Sequence, residues 1–111
     1  MDQIDHQLLN EVWYGREHAR TARDLATRVG LSERDVRDRI RTLRLLGYPI
    51  ASSVHAPYGF FYPADKDEAA ATLAHLVSRE TEIRETRKAF EAAVHSKYGV
   101  RVEQITLRLL A

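Results

Sequence analysis

Apolar positions fall into blocks whose spacing changes along the chain. Ile4, Leu8, Leu9 and Val12 stand at i, i+4, i+5 and i+8, one stripe of a helix. Asp2 suits the N-cap and Gly15 the stop, which predicts a helix over roughly 3–14. Thr21-Ala22-Arg23-Asp24 then has capping-box form, with Asp in place of the usual Glu. Leu25, Ala26 and Val29 follow on one face, and Gly30 ends this second helix. Ser32-Glu33-Arg34-Asp35 repeats the signature and opens a third helix over roughly 32–46, stopped by Gly47 and Pro49. Its inward positions are Val36, Ile40 and Leu43, with Leu46 as a further candidate.

The period then drops to two. Ile50, Ser52 and Val54 alternate with Ala51, Ser53 and His55, and Phe60 and Tyr62 alternate around Phe61. Between them Ala56-Pro57-Tyr58-Gly59 has the chemistry of a type I turn, with Pro at i+1 and Gly at i+3. Two short strands around a turn predict a hairpin over 50–62, closed by Pro63. Asp65-Lys66-Asp67-Glu68 is another cap, and neither Pro nor Gly follows until Gly99. That predicts one helix of about 30 residues. Along it Leu76, Ile83 and Phe90 recur every seven residues, Leu73 and Val94 hold the companion positions, and Glu80 and Arg87 lie between. From Val100 to Leu110 the pattern fits strand and helix equally. The fold class expected is mainly α with a small β-hairpin and a long C-terminal helix, divided into residues 1–63 and 64–111.

Composition narrows the functional classes. The 111 residues are 44% hydrophobic and 30% charged, a globular balance. No window approaches the roughly 18 uncharged apolar residues of a membrane span. The N-terminus lacks a signal-peptide pattern, so a cytoplasmic protein is expected. With no cysteine, disulfides, thiol catalysis and Cys-ligated zinc are excluded. The net charge of +1 points to no partner, but its distribution does. Residues 1–15 carry −3, while residues 16–44 carry nine arginines against five acids, a local +4. A basic excess on one short segment is the pattern of a polyanion binder. Arginine outnumbers lysine 14 to 3, which reflects either genome composition or a preference for phosphate.

The run Leu25-Ala26-x-x-Val29-Gly30-Leu31-Ser32-x-x-x-Val36-x-x-x-Ile40-x-x-Leu43-Arg44-x-x-Gly47 resembles the N-terminal DNA-binding domain of biotin-repressor-type regulators. The hairpin ending Gly59-Phe60-Phe61-Tyr62-Pro63 is similar to that family's wing. Small phage-encoded helix-turn-helix proteins share this core followed by a helical tail. The resemblance covers about residues 4–63 and implies a winged helix-turn-helix, without a biotin ligase domain. One departure is Arg39, which stands where the general helix-turn-helix pattern has an apolar residue; Ile40 takes that role. The positions have physical reasons of their own. Ala26 is small where two helices cross, Gly30 can take the positive φ of a tight turn, and Ser32 caps the third helix with its amides facing outward.

With Val36, Ile40 and Leu43 inward, Ser32, Glu33, Arg34, Arg37, Asp38 and Arg41 form the face left for double-stranded DNA. Arg34 and Arg37 are candidates for base edges, since arginine reaches guanine O6 and N7 bidentately. Arg41 and Arg44, with Thr21 and Arg23, are candidates for phosphate. Ser53, His55 and Tyr58 on the wing are placed to reach an adjacent groove or backbone. Glu33 and Asp38 repel phosphate, so they either read cytosine or hold arginines. The plainer alternative is a solvated helix laced by Asp35–Arg39, Asp38–Arg41 and Arg34–Asp38 pairs. For residues 73–94 the two readings are a homodimer seam through Leu73, Leu76, Ile83, Phe90 and Val94, or packing over the first helix around Ile4, Leu8 and Val12. In an antiparallel seam Glu80 meets Arg87; in a parallel one each faces its own kind.

Other chemistry is weakly represented. Glu17-His18, Asp2 with His6, and His75 with His95 form no ligand triad at a recognised spacing. Neither a nucleophile elbow nor a glycine-rich phosphate loop is present, so no enzyme activity and no cofactor are expected. Trp13 and Tyr14 read as core rather than as a stacking platform, and no pocket signature supports a small-molecule effector. The function expected is sequence-specific DNA binding by a prokaryotic or phage transcriptional regulator. The alternative is a winged-helix interaction or assembly module in phage replication or DNA packaging.

Overall fold

The computed structural model describes residues 1–99, and the expectation for Val100 to Leu110 lies outside them. The described chain is mainly helical, with one two-stranded antiparallel hairpin and a long final helix. It divides into two compact units, Met1–Leu73 and the chain from Ala74 onward. The first unit therefore takes in the opening turns of the last helix, beyond the 63/64 boundary that the sequence pattern suggested.

Helix α1 spans Gln3–Glu11 and opens on a full capping box. The Asp5 amide donates to Asp2 at 2.8 Å and the Asp2 amide donates to Asp5 at 3.3 Å. It stops three residues earlier than the spacing predicted, because Val12 turns to extended backbone (φ −89°, ψ 118°). The chain leaves the helix there to pair with the hairpin. The Tyr62 amide donates to the Trp13 carbonyl at 2.7 Å, and the Gly15 amide to the Tyr62 carbonyl at 2.8 Å. A short 3-10 turn at Arg16–His18 follows.

Helix α2 (Ala22–Val29) and helix α3 (Glu33–Leu45) begin at the residues the capping patterns marked. Thr21 Oγ1 accepts from the Asp24 amide and Ser32 Oγ from the Asp35 amide, each at 3.1 Å. Between the helices Gly30 adopts φ 74°, ψ 36°, the left-handed conformation that ends a helix cheaply only at glycine. The Gly30 and Leu31 amides both donate to the Ala26 carbonyl, at 2.9 and 3.0 Å. That closes a three-residue turn.

Strands β1 (Ala51–Ser53) and β2 (Gly59–Phe61) pair with Ala51 opposite Phe61 and Ser53 opposite Gly59. The loop is five residues, 54–58, with a cis Ala56–Pro57 bond, rather than the type I turn expected over 56–59. Gly59 belongs to the strand. Its φ is 126°, and a Cβ built there would fall 2.2 Å from the carbonyl carbon and oxygen of Arg20. Glycine is needed because Arg20 and Phe60 exchange backbone hydrogen bonds of 3.0 and 2.7 Å along the outer edge of β2. That stitching supports a hairpin too short to persist alone.

The core is Leu8, Val12, Ala22, Leu25, Ala26, Val36, Ile40, Leu43 and Ile50, with Tyr48, Phe60 and Tyr62 packed against it. Every member comes from the first 62 residues. Leu46 is not among them: it is the C-cap of α3 and 61% exposed. Trp13 is also no core residue. Half-exposed, it lies under the Arg20 guanidinium at 3.8 Å.

Helix α4 runs Lys66–Tyr98 and buries no residue fully. Asp65 caps it by accepting from the Glu68 amide at 2.9 Å. Glu68 in turn accepts from the amides of Ala64 (2.9 Å) and Arg16 (3.2 Å), and Thr72 exchanges 3.4 Å contacts with Ser52. These bonds hold the first two turns of α4 to the hairpin unit. No helix among the described residues is long and apolar enough to cross a membrane.

Candidate nucleic-acid interface

Nine arginines between positions 16 and 44 gave the sequence its local basic excess. The fold sorts them into two groups. Five are held by other elements. Arg39 Nη1 lies 3.0 Å from both carboxylate oxygens of Asp2 and 2.9 Å from Asp5 Oδ1, which ties α3 to the N-cap of α1. The Asp5 amide and then the Arg39 guanidinium hold the Asp2 carboxyl below its usual range. An arginine at this position, where an apolar residue was expected, is therefore a clamp between helices.

Arg44 is equally committed. Its Nε donates to the Ile50 carbonyl and its Nη2 to Ser52 Oγ, both at 2.7 Å, and its guanidinium stands 5.8 Å from the Phe60 ring centre. Burial pulls its pKa below the ordinary arginine value. Proposed from sequence as a phosphate ligand, it lies instead between α3 and β1 with two donors already used. Arg20 donates to the Glu11 carbonyl at 2.9 Å and to its carboxylate. Arg28 lies 3.7 Å from the Glu11 carboxylate of α1 as well as 3.2 Å from Asp24, and Arg16 donates to Ser53 Oγ and the Ala56 carbonyl, both at 3.2 Å.

The second group faces water. Arg34, Arg37 and Arg41 stand at i, i+3 and i+7 on α3, all exposed. Opposite them Val36, Ile40 and Leu43 are at most 1% accessible. Arg23, at the start of α2, is exposed as well. Among the described residues no side-chain hydrogen bond or ion pair engages Arg23, Arg34 or Arg41. Arg37 has only Glu33 of its own helix, at 3.6 Å. The anticipated pairs Asp35–Arg39, Asp38–Arg41 and Arg34–Asp38 do not form; Arg39 is drawn to Asp2 and Asp5 instead. Glu33 and Asp38 share the exposed face, so its net charge is only +1.

The remaining candidates divide similarly. Thr21 and Ser32 cap their helices, with Ser32 exposed at the leading end of α3. On the hairpin, Ser53 Oγ accepts from Arg16 and donates to the His55 carbonyl, so it braces the loop. His55 and Tyr58 are exposed at the tip.

One feature escaped the sequence reading. Tyr14, Tyr48 and Tyr62 surround a groove of about 530 Å³ whose walls also include Leu9, Val12, Pro49 and Pro63. The Tyr14 and Tyr62 rings are 5.1 Å apart, and burial, followed by the neighbouring Tyr14 and Tyr48, pushes the Tyr62 phenol up. The available signal was the repeated Tyr-Pro pair at 48–49 and 62–63. No group of three His, Cys, Asp or Glu able to hold a metal ion occurs among the described residues. Comparison with protein-family models, with curated proteins and with solved structures finds no match to this chain.

Proposed function

We propose that the N-terminal unit is a winged helix-turn-helix that binds double-stranded DNA, with α3 as the recognition helix in the major groove. The 51–61 hairpin is the wing on the adjacent backbone or groove. The observation that carries this reading is the sorting of the arginines. Arg34, Arg37 and Arg41 remain exposed on one helical face while Arg39 and Arg44 lock that helix to α1 and the hairpin. A helix held to its neighbours and offering guanidinium groups with no partner outside it suits readout of guanine, and Arg23 and Ser32 suit phosphate. The role that follows is transcriptional regulation in a prokaryote or phage.

Selection from a random duplex library, read by anisotropy across a salt series, tests the reading. An enriched motif supports sequence-specific binding. Arg37→Ala then costs about 1–3 kcal/mol on the preferred site and less on random duplex if it reads a base. Equal losses on both make it a phosphate contact. Absence of binding at low salt overturns the proposal in favour of a winged module that docks on protein, as in phage replication or DNA packaging. The low net charge of the α3 face is what that second reading would explain.

A further inference from the structure

Helix α4 carries an apolar row with no cover of its own. Leu76, Ile83 and Phe90 are 43%, 63% and 69% exposed, and Leu73 is 62% exposed. From Leu73 to Val94 the row extends about 32 Å along the helix at 1.5 Å per residue. A seven-residue repeat of this kind is the seam of a coiled coil. The charge along the same helix has a direction. Residues 66–82 carry Asp67, Glu68, Glu80 and Glu82 against Lys66 and Arg79, a net −2. Residues 83–98 carry Arg84, Arg87, Lys88 and Lys97 against Glu85 and Glu91, a net +2. A helix with an acidic leading half and a basic trailing half complements a reversed copy of itself and opposes a parallel one.

We infer that α4 pairs with α4 of a second copy of this chain as an antiparallel two-helix coil, with the two-fold axis passing at Ile83. The register follows from the symmetry. Ile83 meets its own counterpart, and Leu76 meets Phe90 of the second copy. Glu80 comes level with Thr86 of that copy, one residue from its Arg87, and Leu73 lies within one residue of level with its Val94. Between Ile83 and Phe90 the helix has a shallow open depression edged by Glu82, Thr86 and Arg87, at the level where the symmetry brings Glu80 of the second copy. Glu80 already lies 3.1 Å from Arg84, and Arg87 3.3 Å from Glu91. Pairing therefore joins two intrahelical ion pairs into a four-residue network at each end of the two-fold. The inference stands on α4 alone and does not depend on DNA binding.

The chain has no cysteine, so single introduced cysteines report the register cleanly. Sedimentation of the full chain at micromolar concentration is expected to show a dimer, and Ile83→Asp a monomer with unchanged circular dichroism. Under mild oxidation Ile83→Cys is expected to cross-link copy to copy. Leu76→Cys is not, because its counterpart lies about 21 Å away along the axis, against the under 7 Å between Cα atoms that a disulfide allows. Mixing Leu76→Cys with Phe90→Cys chains is expected to restore cross-linking. Glu80→Arg should weaken the dimer about tenfold, and Glu80→Arg with Arg87→Glu should restore it. A monomeric parent chain overturns the proposal. Equal self-cross-linking of Leu76→Cys, Ile83→Cys and Phe90→Cys also overturns it, by showing a parallel pair.

Discussion

Replacing Arg44 separates two roles that one arginine in the last turn of α3 can play. If it is the clamp between α3 and the hairpin, Arg44→Ala removes two 2.7 Å hydrogen bonds at once. The Ile50 carbonyl and Ser52 hydroxyl are then left with no side-chain donor at the start of β1, where Ile50 and Ala51 are buried. A charged hydrogen bond in a protein contributes about 1.5–3 kcal/mol, at the lower end where water can replace it. Arg44 is half-buried, so its two bonds together are worth about 2–3 kcal/mol. In a unit of this size each kcal/mol moves the midpoint by about 4–8 °C, which places the loss of Tm at about 8–24 °C. Arg41→Ala, on the exposed face one turn earlier, should stay within about 0.5 kcal/mol. The assay is thermal unfolding of both variants by circular dichroism, followed by duplex titration at a temperature where both are folded. If Arg44→Ala melts with the parent while losing duplex affinity as Arg41→Ala does, the clamp is wrong and Arg44 is a phosphate ligand.

Three further outcomes follow from the same packing. Gly59→Ala places a methyl group 2.2 Å from the Arg20 carbonyl at a φ of 126°, so urea unfolding should show a loss of at least about 2 kcal/mol; an unchanged midpoint would deny the close approach of β2 to residue 20. Ile40→Ala should cost about 2–5 kcal/mol, whereas Leu46→Ala, at a position 61% exposed, should cost under about 0.5. Similar losses for the two would mean that Leu46 reaches the core. Asp2 titrates below its ordinary value because the Asp5 amide and Arg39 favour the carboxylate. Its contribution is therefore present above about pH 4 and lost as pH falls through the lowered folded value. Asp2→Asn keeps the N-cap acceptor but not the charge, so its stability should fall less steeply below pH 4 than the parent's. Identical acid limbs would mean that the Asp2 charge adds nothing to the stability and that Asp5 alone holds Arg39.

What the sequence made legible, and what it did not, divides by the distance over which the information acts. The caps at Asp2, Thr21, Ser32 and Asp65 are decided within three residues, and all four form where their hydroxyls and carboxylates indicated. The apolar stripes that bury Leu8, Leu25, Val36, Ile40 and Leu43 are equally local, since helical periodicity alone assigns a face. The readings that changed are those in which a second segment competes for the chain. Helix α1 stops at Glu11 because residues 13–15 pair with Tyr62, about 50 positions away. Gly59 looked like a turn residue because nothing near it in sequence reveals the approach of Arg20. The same competition governs the candidate interface. Spacing on α3 offered Asp35 and Asp38 as partners for its arginines, yet the carboxylates that capture Arg39 are Asp2 and Asp5, on another helix. Charge counting over residues 16–44 therefore overstates the surface available to a polyanion. Five of the nine arginines serve the fold, and the other four, Arg23, Arg34, Arg37 and Arg41, are those that tertiary contacts left without a partner outside their own helix. An interface argued from those four is smaller than the one the composition suggested. Three of them, Arg34, Arg37 and Arg41, are placed by a helix that Arg39 and Arg44 hold to α1 and to the hairpin.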